Sequence, residues 1–357
     1  MSKEHKTFSA VGFVLRDPAL ILGISASIVL FFLMVLFPVF GTIAGIFTPL
    51  PLLYFYYRRG RTIGLTMIGL ATLVVELIFI FSSRWTGGLM FLGYGLMAGI
   101  MAESLLLSLS PEKIIGYPAA AVLGLGLAVL VLSSFFHGQS PWAYGRSIIK
   151  SHVEETFYLY RDILTTAQQE GVSSEKNKEK VPFDLNMKED RQEGETRGLS
   201  INQDENLRRL AHLFIRVFPG LTIIGTLLLT WINFMAARLV FARTGMLPPH
   251  LANLKKWKAP EFLVWAVILF GFCVVFPVDP VRSIGINGLM VLALVYFFGG
   301  LSVVAYWFDQ KAVPRFFRVL TYLIIALQQY LGLIVVGLGL FDLWFDFRKL
   351  KKAQSGS

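Results

Sequence analysis

FPVFGTIAGIFTPLPLLYFYYRRGR, residues 37–61, joins two long apolar runs and ends in three arginines. Pro38 and Gly41 stop whatever helix precedes them, and Pro49 and Pro51 keep a regular helix from running straight through. Arg58, Arg59 and Arg61 then close the apolar run abruptly, so they serve as topology anchors for the segments on either side. The stretch therefore reads as a turn, a short apolar segment interrupted by proline, and a basic stop at a membrane surface.

The composition agrees. Hydrophobic residues make up 55% of the 357, charged residues 16%, and the mean hydropathy is +0.62. A soluble domain of this size needs more polar cover than that. Runs of about 18 to 25 apolar residues are long enough to cross roughly 30 Å of hydrocarbon as helices. A β-barrel would show instead alternating strands of about ten residues. The net charge of +10 comes from Lys and Arg beside apolar runs, the pattern of cytoplasmic loops and not of a nucleic-acid binder.

The expected fold class is all-α, a polytopic transmembrane bundle with eight or nine spans. Candidate spans are Ala19 to Phe37, Ile43 to Tyr57, Ile63 to Phe81, Gly88 to Leu109, Ile114 to Phe136, Leu213 to Ala237, Phe262 to Phe276, Ile284 to Trp307 and Val319 to Leu340. If the first six all cross, the N-terminal tail, the arginine run and the loop from Arg238 to Lys258 share one side, the cytoplasm. Nine spans would put the tail outside, although Arg348, Lys349, Lys351 and Lys352 ask for the cytoplasm. Retention of the first span is expected, since no small-residue cleavage site follows it.

The organisation splits at one polar insertion. Residues 1–142 form a five-span part, 143–212 the insertion, 213–345 a four-span part and 346–357 a basic tail. The insertion holds 11 Lys and Arg against 13 Asp and Glu, a net of −2. From Tyr144 to Gln169 its apolar residues recur near helical spacing, which predicts an amphipathic helix. From Glu170 to Asn206 it is charged and aperiodic, which predicts an unstructured linker.

Ionisable groups in an apolar span cost roughly 2.5 to 3.5 kcal/mol on insertion scales, so each asks for a partner or a hydrated cavity. Glu76 and Glu103 are the clearest, with Asn233 and Asn287 the polar groups of the second part; these four are the candidate ligand-binding residues. Ala19, Gly23 and Ser27 form a small-residue row that lets helices approach closely, either inside the bundle or as a docking surface. Cys273 is the single cysteine, the histidines lack metal-ligand spacing, and no nucleotide, zinc-protease or serine-hydrolase motif is present. No cofactor, metal or catalytic residue is expected.

The segments PVFGTI and TPLPLLYFYYRRG, with Pro219, Asn233, Trp257 to Pro260, Asn287, Gly299 with Gly300, and GLFDLWFDFRK, make the chain resemble the YybS-like family of bacterial integral membrane proteins, whose function is uncharacterised. Its N-terminal architecture is similar to the substrate-binding S components of energy-coupling-factor transporters. That likeness implies docking of a membrane coupling subunit through Ala19, Gly23 and Ser27, and a substrate cover formed by the loop from Pro38 to Pro51. The chain departs from those proteins by having Gly and Ser where alanines are usual, and extra C-terminal spans.

Three functions follow as expectations for a protein of the bacterial cytoplasmic membrane, with the bilayer as its first partner. The leading one is a non-enzymatic small-ligand-binding or transport component. The alternative is a cell-envelope scaffold or interaction protein. Third stands an intramembrane enzyme acting on lipid through Glu76 and Glu103. Convergence of Glu76, Asn233 and Asn287 on one hydrated cavity separates the first from the second.

Overall fold

The computed structural model describes residues 3–37, 40–81, 86–151, 153, 155, 189–251, 254 and 257–348. Among the described residues every regular element is helical. A helix the sequence reading took for a tail comes first: α1 (Lys3–Arg16) lays Ala10 and Val14 into the bundle. Asp17 then caps α2 (Pro18–Leu36), its carboxylate accepting from Ala19 N at 2.9 Å, with Pro18 at the first helical position where its missing N–H costs nothing.

The stretch 37–61 is not one span. It divides into α3 (Phe40–Gly45) and α4 (Pro49–Arg59), separated by a turn at residues 46–48. Pro49 cannot donate back to Gly45, so α4 has to start anew there. Gly60, at φ +89°, ends α4 in a conformation that side chains disfavour. The divided segment nevertheless returns the full length of α2, because Arg59 at its end pairs with Asp17 at 2.9 Å.

Long apolar helices follow: α5 (Arg61–Phe81), α6 (Thr86–Leu106) and α7 (Pro111–Phe136). A helix over 141–151, α8, folds back on α7, with Gly145 against Leu130 and the rings of His137 and Tyr144 4.8 Å apart. It begins the amphipathic segment expected at Tyr144 to Gln169, whose later part lies outside the described residues, as do residues 170–188. α9 (Glu189–Arg243) starts inside the stretch expected to be unstructured.

The chain closes with α10 (Leu263–Val275), α11 (Asp279–Gln310), α12 (Arg315–Leu327) and α13 (Gln329–Phe345). The expected span Val319 to Leu340 is broken: α12 and α13 meet at 105°. Gln328 takes an extended conformation at the joint, where two adjacent glutamines interrupt the apolar run. Among the described residues six helices are long and apolar enough to cross a bilayer, and the bent pair raises the number to seven. The expected eight or nine also counted the divided stretch 43–57 and α10, which has 13 residues and so measures about 20 Å.

Two apolar cores result. In the first, Phe31 of α2 meets Phe79 of α5 and Phe91 of α6 edge-on at 6.1 and 5.2 Å. Phe234, Ala237 and Phe241 bring α9 into this core, with Phe241 4.6 Å from the ring of Tyr57. The second gathers Ala259, Leu292, Tyr296 and Leu343. There α11 and α13 touch backbone to backbone: a Cβ added at Gly300 would strike Val335 O, and one at Gly339 would strike Tyr296 O. Leu22, Leu73, Leu127, Phe272, Val275 and Leu333 cover the outside, an exterior whose solvent is lipid.

Candidate functional site

The polar side chains gather at the two ends of the bundle and at one point within it. At the arginine end, Arg61 opens α5 and grips Glu103 near the close of α6, its Nε 2.7 Å from Oε1 and its Nη2 on Oε2. Tyr56 Oη donates to the same Oε1 at 2.5 Å. Glu103 is therefore not open to a ligand; the carboxylate joins α4, α5 and α6. Beside it, Trp257 Nε1 donates to Glu112 at the start of α7, at 3.0 Å.

The C-terminal segment returns to that end. Arg348 donates to Trp257 O at 2.8 Å and to Asp342 Oδ2 at 2.6 Å, while Lys258 pairs with Asp346 at 2.6 Å. Arg348 and Asp342 are 2% exposed each, and α13 is held to the segment before α10 by these bonds. The bent pair α12–α13 begins where Arg318 pairs with Asp309 at 2.5 Å and finishes where Phe347 meets Trp307 at 6.1 Å. Asp309 and Trp307 share the last turn of α11, so both ends of the pair lie against one end of one helix.

At the far end Asn287 of α11 bridges a defect in α9. Its Oδ1 accepts from Gly220 N at 2.6 Å and its Nδ2 donates to Arg216 O at 2.9 Å and Ser283 O at 2.7 Å. Gly220 N and Arg216 O are the two groups that a regular turn pairs with each other, and Pro219 disturbs the turn between them. Arg216 reaches Ser283 and Asp279 as well.

Asn233 sits elsewhere on α9, thirteen residues or about 20 Å beyond Gly220, and donates to Ile46 O in the α3–α4 turn at 2.8 Å and to Leu229 O at 2.9 Å. Glu76 lies against Gly88 of α6, half-buried, with no hydrogen-bond or ion-pair partner among the described residues. Asn233, Asn287 and Glu103 thus act at three separate places, each bonded to the chain's own groups, and do not line one cavity.

The small-residue row is also occupied. Gly23 and Ser27 are buried, and a Cβ at Gly23 would stand 2.5 Å from the ring of Phe55 on α4. The face predicted to dock another subunit is filled by α4 and α5, the glycine being needed to seat that ring; Ala19 alone remains exposed.

The family described as "Predicted membrane protein (DUF2232)" matches residues 25–188 and 187–343, from α2 through most of α13. The chain belongs to this family. As a DUF2232 protein it is similar to the Bacillus subtilis (strain 168) protein called "Uncharacterized protein YybS", with 22% identity over 348 residues that cover 95% of this chain and 98% of that one. No solved structure matches. Within the DUF2232 match lie both asparagines and Glu103. Sequence reasoning missed Tyr56 and the clasp of Lys258 on Asp346 and Arg348 on Asp342 as interacting groups. Their signal was present in part, since Trp257, Lys258, Asp342 and Arg348 all stand in the segments that carry the family likeness.

Proposed function

We propose that this protein is a non-enzymatic scaffold or interaction protein of the bacterial cytoplasmic membrane. The observation that carries the reading is that Asn287, Glu103 and the Nδ2 of Asn233 hold this chain's own helices together at separate points. A ligand site needs convergent polar groups, and a built frame does not. The segment left over for a partner is the charged insertion 143–212, which follows the exposed Trp142 of α8.

The topology that goes with this reading is an eight-pass arrangement. The passes are α2, the α3–α4 segment, α5, α6, α7, α9, α10 and α11, with α12–α13 as a re-entrant hairpin. Both chain ends then lie on the side of Arg58, Arg59 and Arg61, the cytoplasm by the positive charge there. This resolves the basic tail, which nine passes would leave outside. The insertion faces outward.

A second reading, a small-ligand transport component, is favoured by the broken helix α3–α4, since discontinuous helices frame the sites of many secondary transporters. A photo-crosslinker placed at Trp142 or Ile148 in living cells distinguishes the two. The scaffold reading expects one discrete protein adduct and no thermal stabilisation of the purified protein across a vitamin and metabolite panel. Stabilisation by a panel compound without any adduct supports the transport component instead.

A further inference from the structure

The turn between α3 and α4 brings unsatisfied polar atoms into the apolar interior. Asn233 is fully buried, and its Nδ2 spends both hydrogens on Ile46 O and Leu229 O. Its Oδ1 has no hydrogen-bond partner in the chain. Turning the amide over would aim that oxygen at two carbonyls, so the orientation is fixed. Thr48, two residues after Ile46, is fully buried too, and its Oγ1 is likewise unpartnered. It stands at the cap position of α4, where a threonine ordinarily accepts from the first N–H groups of the helix, and it makes no such bond.

A buried acceptor left unmade is more expensive than a hydrogen bond is helpful, so two of them beside one helix break point to an occupant. We propose that the α3–α4 break is a binding site for one small neutral hydrogen-bond donor, a water molecule or the hydroxyl of a small ligand, held between Asn233 Oδ1 and Thr48 Oγ1. Charge selects the class. Asn233 Oδ1 only accepts, which repels an anion. Ile46, Phe47, Thr48, Leu229 and Asn233 carry no charge that could offset a cation in so apolar a place. The occupant adds a polar link between the α3–α4 break and α9. This goes beyond the scaffold reading and holds whether or not that reading does.

Thr48→Val tests it on the full-length protein in detergent, because valine keeps the shape of threonine and Thr48 Oγ1 makes no bond within the chain. With an occupant, the substitution lowers the Tm while Thr48→Ser keeps it near wild type. With the hydroxyl truly unpartnered, Thr48→Val leaves the Tm unchanged or raises it, and the proposal falls. Hydroxyl-radical footprinting then separates the sources. Bound water gives labelling at Phe47 or Leu50 in the wild type that is lost in Thr48→Val. A bound small molecule leaves those residues unlabelled and appears as a stoichiometric hydroxyl compound extracted from the wild type and absent from the variant. Neither signal in the wild type overturns the site.

Discussion

Among the described residues Arg348 has the largest fully buried side chain, and Asp342 is its counter-ion. A buried pair adds little net stability when compared with apolar replacements, but removing one member strands a charge, at about 3 to 5 kcal/mol. Arg348→Met is expected to lower stability by that order, and Arg348→Met combined with Asp342→Leu to regain most of it, both read from thermal unfolding of the purified protein. Equal losses in the single and double variants would mean that Arg348 acts mainly through Trp257 O. At this scale the sequence points to single residues and not to the contacts between them. Glu103 and Arg61 were both singled out, one as a ligand and the other as an anchor. That they bind each other across 42 positions of sequence depends on α5 and α6 being antiparallel, which no local pattern states.

Elements were easier to read where the backbone itself forced the outcome. Pro49 had to start a new helix, and Gly60 to end it, so the division of 37–61 was visible in the residues even though the two pieces were counted as a single span. The α12–α13 joint had no proline or glycine to announce it, and a run of apolar residues around Gln328 and Gln329 looks like one helix on periodicity alone. The α11–α13 crossing gives the sharpest element-level prediction. Gly339→Ala would drive a methyl into Tyr296 O, whereas at Gly299 a Cβ would rest 3.5 Å from the Gly339 Cα, an ordinary contact. Gly339→Ala should therefore destabilise the protein by about 1 to 3 kcal/mol, as overpacking does, and Gly299→Ala should be nearly silent. Similar melting temperatures for the two variants would contradict the crossing as described.

For the whole molecule, membrane class and helical architecture were readable from composition and run length, because both follow from what lipid demands of a backbone. The number of passes was not, because crossing and re-entry use the same apolar residues. Contacts at the helix ends bear on it: Asp17 with Arg59, Arg61 with Glu103, Trp257 with Glu112, and Arg348 with Trp257 tie helix ends together. The polar residues that suggest a ligand pocket, Asn233, Asn287 and Glu103, are distributed along the bundle. Site-specific labelling tests the eight-pass account most directly. In a Cys273→Ser background, single cysteines at Ser2, Ser140 and Ser355 are exposed to a membrane-impermeant maleimide on intact cells. Ser140→Cys should be labelled, and Ser2→Cys and Ser355→Cys only after the membrane is opened; labelling of Ser355→Cys on intact cells while Ser2→Cys stays protected would contradict the account.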